Sequence, residues 1–420
     1  MLKKFKYFLS KKIKNVAQKN IFFQSNIPEI TPIFIKKTKI PFEKRVNLLV
    51  PSLNREHFFG GIATALKFFN SILEKLREDK LIAFRIILTD IVKLDRDIPQ
   101  RFPDFKITDR EDTARFQIFP FGDRINKKLP VIKHDYFIAT AWWTAYLSKQ
   151  IIKQQKKLFN RTNKFVYLIQ DYEPGFYSWS SKYILAESTY KDFEKIIAVF
   201  NSSLLMDFFQ RMGWNFTKKY YFEPQLNENL IKFLPLKEKI SKERIILIYG
   251  RPFVPRNAFE LIKIALEAWV QKDSRASSWR LISVGEKHPD LTIASQKMIS
   301  LGKLPLEDYA HLLLRSAIGI SFMISPHPSY PPLEMANFGL LTLTNQFANK
   351  DLSKWHSNIY SLNSLDPEYI AQKLEKLVTL FEKDPSIGLK GKDLTGFYLS
   401  NTPDFPFIEN VIADLLRERL

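Results

Sequence analysis

Two arginines five residues apart carry the most specific chemistry in this sequence. Gly250-Arg251 follows the apolar run Ile245–Tyr249, and Arg256 comes just after Pro252–Pro255, where a helical pattern begins. Guanidinium groups hold phosphate oxygens through paired N–H donors, and a helix start adds positive potential, so the pair is suited to one diphosphate. Solvated surface arginines are the competing reading. A second signal, Leu301-Gly302-Lys303-Leu304-Pro305, brings another cation, Lys303, ahead of a helix opened by Glu307 and Asp308. A third runs from Ser325 through Pro326, His327, Ser329 and Tyr330 to Leu333-Glu334-Met335-Ala336. It reads as a Pro/Ser-rich loop entering a helix at Leu333. There Glu334 can accept hydrogen bonds from ribose hydroxyls, and the helix start is expected to keep it ionised.

The first half of the chain is less decisive. Gly60-Gly61 follows the strand-like Val46–Val50 and opens a helix, which lets backbone amides approach a phosphate or an acceptor sugar; a tight turn explains the pair equally well. Gln170-Asp171-Tyr172-Glu173-Pro174 follows another apolar run. Asp171 can orient or deprotonate an acceptor hydroxyl, with Glu173 as its rival, and either can instead be a turn or capping acid. Trp142 and Trp143 suit a sugar face or plain packing. The six histidines show no metal-ligand spacing and there is no cysteine, so no metal is expected. Neither a serine nucleophile elbow nor a P-loop is present.

These residues need elements to position them. Strand-like runs at 46–50, 84–88, 136–139, 165–169 and 196–200 alternate with helical stretches, which predicts a parallel sheet covered on both faces. The rhythm breaks over 224–243, with Pro224, Pro235 and clustered charge, and restarts at 245. The reading is a basic extension over 1–44, one Rossmann-like domain over 45–223, a linker over 224–243 and a second domain over 244–395. A C-terminal helix within 396–420 is expected to cross back to the first domain. Two such α/β halves should face a central cleft that holds the ligands.

In order and spacing, the signals of the second half resemble the C-terminal domain of retaining glycosyltransferases of family 4. Arg251 and Arg256 match that family's basic pair, and Glu334 matches the second Glu of its Glu-x7-Glu segment. The first Glu falls on Pro326, a departure that affects recognition of the donor sugar ring. The chain is still more similar to WsaF-type rhamnosyltransferases, at Asn47-Leu48-Leu49-Val50-Pro51, at Gln170–Pro174 and over Pro328–Ala336. This resemblance covers roughly 46–381. It implies a GT-B fold, a dTDP-β-L-rhamnose donor, a polysaccharide acceptor and retention at the anomeric carbon. It also implies that Arg251, Arg256 and Lys303 hold the diphosphate, that Glu334, Ser329 and Tyr330 hold the nucleotide or sugar, and that the Gly60-Gly61 loop faces the cleft.

Composition bounds these readings. The chain has 420 residues, 45% of them hydrophobic, which suits two folded domains. A net charge of +20 attracts polyanions. Seven lysines and no acid fall within residues 1–20, at a spacing that permits an amphipathic helix on an anionic membrane. No transmembrane run and no nucleic-acid signature is found. The expected protein is a cytoplasmic glycosyltransferase, peripheral on the inner membrane face, that takes a nucleotide-sugar donor and a glycan acceptor without a cofactor. A nucleotide-sugar epimerase of the same fold and a non-catalytic polyanion binder are the alternatives.

Overall fold

The computed structural model describes residues 27–57, 60–110, 112–400 and 402–416. The chain divides into two compact units. One holds the chain as far as Phe200 with Trp214–Tyr220 and Phe405–Leu420; the other holds Asn201–Gly213 and Tyr221–Asp404. The proposed membrane helix within residues 1–20 lies outside the described residues. Among the described residues, no helix is long and apolar enough to cross a membrane.

The first unit is built on an eight-stranded sheet. Its spatial order is Lys218–Tyr221, Ile196–Phe200, Phe165–Ile169, Asp135–Ala139, Lys44–Val50, Ile82–Leu88, Phe116–Pro120 and Lys106–Ile107. From Ile196–Phe200 onward every pairing is parallel. Helices such as Gly60–Leu76 and Trp142–Phe159 connect the strands and cover the sheet, which is why the central strands read as unbroken apolar runs. Strand order reverses on either side of Lys44–Val50, so a topological switch point lies there.

Four polar side chains interrupt this apolar core. Arg45 donates to both carboxylate oxygens of Asp135, at 2.6 and 2.8 Å. Asn47 Nδ2 donates to Asp135 Oδ1 at 2.9 Å, and Asn47 Oδ1 accepts from Arg85 Nε at 2.7 Å. Each of the four is at most 1% exposed. Burial alone would push the Asp135 carboxyl up, but Arg45 and Arg85 overcome this and hold it below the usual carboxylate range. Burial and the neighbouring Arg45 push the Arg85 guanidinium well down. The network stitches Lys44–Val50 to both of its neighbours.

Part of the expected basic extension belongs to the first unit's fold. Phe34–Lys37 pairs in parallel with Lys128–Val131. Arg124 donates to the carbonyls of Thr31, Glu29 and Pro28 at 2.7, 3.1 and 3.2 Å. The last helix, Ile408–Leu416, also packs in this unit; Asp414 accepts from Tyr220 at 2.6 Å and pairs with Lys218 at 2.9 Å.

The second unit carries a seven-stranded sheet in the order Leu291–Ile293, Gln296–Gly302, Arg280–Gly285, Glu243–Gly250, Ser316–Ile320, Leu341–Asn345 and Ile359–Leu362. All its pairings are parallel except the hairpin of the first two strands. Residues 224–243, expected as a linker, are integral to this unit. Leu226 and Leu230 are buried in its core, and the Leu226 amide donates to the Tyr398 carbonyl at 2.9 Å. Lys242 Nζ donates to the carbonyls of Leu313 and Phe338, at 2.8 and 2.7 Å, and so closes two helix C-termini.

Asp135→Asn should lower the unfolding free energy of the first unit by about 3–5 kcal/mol, because it leaves buried guanidiniums uncompensated. Urea denaturation at pH 7 measures this. An unchanged midpoint would show that the network contributes no net stability.

Candidate functional site

Parallel strands all end on the same edge of a sheet, and each sheet here gathers the expected residues at its carboxyl edge. In the second unit the edge reads, strand by strand, Lys303, Gly285, Gly250-Arg251 and the loop 321–329. Gly250 is confined by packing. A Cβ there would lie 2.1 Å from Ser283 Oγ and 2.9 Å from the Phe259 ring, so no side chain fits. That absence brings the backbone of the strand end close under Arg251. Arg251 interacts in turn with the Tyr249 hydroxyl, which also feels the Glu334 charge.

Arg256 does not open the helix, as the sequence suggested. It lies in the turn Pro255–Asn257, and the α-helix begins at Phe259 after Ala258, whose φ is +49°. The turn is fastened to the next strand's exit instead. The Arg256 carbonyl accepts from the Ile324 amide at 2.7 Å, and Asn257 Nδ2 donates to the Phe322 carbonyl at 2.9 Å. Arg256 therefore borders the loop that leads to Ser329. Lys303 is exposed and two strands away from Arg251 along the edge.

The loop 325–329 is tightly built. Ser325 Oγ accepts the His327 amide at 3.0 Å, and His327 Nδ1 accepts the Ser329 amide at 2.9 Å. This fixes the neutral imidazole with its proton on Nε2. Ser329 has φ +68°, a left-handed conformation that costs a non-glycine residue free energy and persists where its surroundings dictate it. Its hydroxyl is buried with no protein partner. The following helix starts at Tyr330, three residues earlier than the sequence pattern indicated, with Pro331 and Pro332 in its first turn. Gly319 lets it sit close to the sheet: a Cβ there would meet Met335 Sδ at 2.6 Å.

Glu334 differs from expectation in its charge. Desolvation by the packing around it raises its carboxyl to about 7, against the opposing hydrogen bond from Tyr309 Oη at 3.0 Å. Tyr249, Tyr330 and Tyr398 also feel its charge. The carboxylate one turn inside the helix is thus ringed by phenols and loses more by burial than the Tyr309 hydrogen bond returns. The tyrosines at 249, 309 and 398 were not singled out in the sequence, where they resemble ordinary amphipathic core residues.

In the first unit the carboxyl edge around the switch point gathers Gly60-Gly61, Asp90, Trp142-Trp143 and Gln170–Glu173. A Cβ on Gly61 would lie 3.2 Å from Gln170 Oε1, so these two motifs, separated in sequence, touch. Gln170 Nε2 donates to the Thr140 carbonyl at 3.3 Å. Asp171 is buried and accepts the Tyr172 amide at 2.8 Å. Glu173 accepts the Trp142 amide at 2.7 Å, capping the helix Trp142–Phe159. Each acid thus has one oxygen engaged by a backbone amide, Glu173 at that helix start and Asp171 at its own chain neighbour. Trp142 is buried, whereas Trp143 keeps partial exposure and donates to Asp90 Oδ2 at 3.1 Å. Asp90, which the sequence reading passed over, also accepts from Thr89 Oγ1 at 2.7 Å, and desolvation raises its carboxyl. Its only sequence signal was an acid just past a strand end. Among the described residues, no cluster of three His, Cys, Asp or Glu side chains is arranged to hold a metal ion.

Comparison with known proteins follows this division. Residues 45–203 match the WsaF N-terminal domain and residues 244–375 the WsaF C-terminal domain. An O-antigen biosynthesis protein, RfbC of Myxococcus xanthus, is 31% identical over 211 residues; the match covers 50% of this chain and only 15% of that protein's length. Among solved structures, HepE of Anabaena, in complex with UDP and glucose, has a TM-score of 0.54 at 12% identity, over 88% of this chain and 98% of its own. The glycosyltransferase WaaG, involved in lipopolysaccharide biosynthesis, has a TM-score of 0.51 at 12% identity, over 88% and 99%. The fold is that of the GT-B glycosyltransferases, with two Rossmann-like units.

Glu334 holds its proton more tightly in the folded chain than in the unfolded one. Its folded-state pKa of about 7 exceeds the ordinary 4.5, so its contribution to stability is complete below about pH 4.5 and is lost as pH rises through 7. Thermal melts should show wild type losing stability relative to Glu334→Gln between pH 5 and 8. A constant difference across that range would contradict a desolvated carboxyl.

Proposed function

The chain belongs to the WsaF family, and from this we propose that it is a glycosyltransferase of surface-polysaccharide assembly that transfers a sugar from a nucleoside diphosphate to a glycan hydroxyl. The observation that carries the reading is the carboxyl edge of the second sheet. There a side-chain-free strand end at Gly250, the Arg251 guanidinium, the Arg256 turn and the Tyr-ringed Glu334 lie on adjacent strand exits. Phosphate oxygens suit the arginines, and ribose or deoxyribose hydroxyls suit Glu334.

On this reading the donor diphosphate is held by Arg251, Arg256 and Lys303. These cations stabilise the charge that grows on the leaving group, in the role a metal has in other enzymes, and no metal is required. Ser329 and Tyr330 contact the nucleotide or sugar; the buried Ser329 hydroxyl, unsatisfied by protein, supports this. The acceptor binds the first unit beside Gly60-Gly61, where Asp171 orients or deprotonates its hydroxyl, and Asp90 is the other carboxyl at that edge. The donor is dTDP-β-L-rhamnose, consistent with the resemblance to rhamnosyltransferases and with Pro326 where a Glu would contact a hexose. Transfer proceeds with retention by same-face attack, and no protein nucleophile is assigned. The roles of RfbC in O-antigen biosynthesis and of WaaG in lipopolysaccharide biosynthesis support a surface-glycan acceptor.

Calorimetry of the full chain with dTDP, UDP, GDP and ADP in EDTA tests the donor side. The expected order has dTDP binding tightest without metal, with Arg251→Ala weakening it by about 10–100-fold through loss of charge-assisted hydrogen bonds. Preference for UDP or GDP would overturn the dTDP-rhamnose reading, and silence from all four would overturn nucleotide-sugar transfer.

A further inference from the structure

Trp179 is 94% exposed, more than any other large hydrophobic residue among those described. A bare indole at a frayed tip would need no explanation, but this loop is held on both sides of it. Before it, the Tyr177 amide donates to the Pro174 carbonyl at 3.1 Å, and the Tyr177 hydroxyl accepts from Trp142 Nε1 at 2.9 Å. After it, Ser180 Oγ accepts the Tyr183 amide at 3.3 Å and caps the helix Ser181–Ser188. Lys182 Nζ donates to Glu29 Oε1 at 2.6 Å. The fixed loop holds the indole away from the core.

The ring is also backed. Tyr183 stacks against Trp179 with centroids 6.2 Å apart and planes at 26°. The Tyr183 hydroxyl lies 3.5 Å from that of Tyr172, the neighbour of Asp171, and Tyr172 stacks on Tyr190 at 6.0 Å. An aromatic series thus leads from the exposed indole to the acid expected to meet the acceptor hydroxyl. Beside the indole, Ser178, Ser180 and Ser181 are exposed hydroxyls. A flat apolar ring bordered by hydroxyls matches a sugar unit, with its C–H face and hydroxyl rim. A bilayer interface would call for several apolar side chains together.

We propose that Trp179, backed by Tyr183, is a stacking subsite for a sugar unit of the acceptor glycan, remote from the hydroxyl that receives the new residue. This rests on the glycosyltransferase reading and specifies its acceptor: a chain of at least a few sugars rather than a monosaccharide.

Binding of an array of immobilised bacterial O-polysaccharides, of free L-rhamnose and of phosphatidylglycerol vesicles would be measured for the full chain, Trp179→Ala and Trp179→Phe. Calorimetry with dTDP and UDP would be run on the same preparations. Wild type is expected to bind at least one polysaccharide well above free rhamnose. Trp179→Ala should weaken that binding about tenfold, Trp179→Phe should retain most of it, and nucleotide affinity should stay unchanged in both. Equal polysaccharide binding by wild type and Trp179→Ala would overturn the subsite, as would no polysaccharide binding by wild type. Loss confined to phosphatidylglycerol vesicles would overturn it in favour of a membrane contact. If nucleotide binding is present in each of these cases, the subsite alone fails; if it is absent from wild type, the glycosyltransferase reading fails with it.

Discussion

A parallel β-sheet must be covered on both faces, and this constraint governs where chemistry can occur in the protein. Helices that return the chain from one strand to the next bury the sheet surfaces, so polar functional groups collect where strands end. The first sheet gathers Gly60-Gly61, Asp90, Trp143 and Gln170-Asp171 at that edge, and the second gathers Lys303, Gly250-Arg251 and the loop to Glu334. Residues far apart in sequence become neighbours because adjacent strands run in register. The contact between Gly61 and Gln170 is one product of that register.

Two carboxyls show how burial acquires opposite meanings. Asp135 and Glu334 are both pushed up by desolvation. Asp135 meets the guanidiniums of Arg45 and Arg85 and ends below the usual range, a structural anion that ties three strands. Glu334 meets a phenol at hydrogen-bond distance and only uncharged rings beyond it, and ends near 7. Both oxygens of Asp135 are engaged within the core, whereas a desolvated carboxyl at a strand exit gains from a ligand that brings hydroxyl donors. Glu173 is a third case, with its charge spent on the helix start at Trp142.

Close approach is the other recurrent device. At Gly250 and Gly319 the missing side chain lets a neighbouring element sit where a methyl group would collide. The first brings Ser283 and Phe259 beneath the strand end that carries Arg251, and the second seats the helix that carries Glu334. Backbone strain at Ser329 is sustained by the imidazole of His327 and by burial of the loop.

The sequence alone determined the alternation of strands and helices, because a buried parallel strand leaves an unbroken apolar run at a recognisable spacing, and the resemblance of its motifs to known families implied the GT-B class. It also placed Arg251, Gly250 and Glu334 near strand or helix ends, where motif order was informative. It missed edge and short strands such as Phe34–Lys37 and Lys128–Val131, which lack such runs, and took residues 224–243 for a linker because Pro and charge mask the anchoring Leu226 and Leu230. Only the tertiary structure decided that Arg256 sits in a turn rather than a helix, that Glu173 caps a helix while Asp171 remains at the edge, and that Glu334 is raised toward neutrality. Each of these depends on which groups desolvate or hydrogen-bond a side chain from elsewhere in the chain. Such distances are fixed by packing, and residue type and spacing do not contain them.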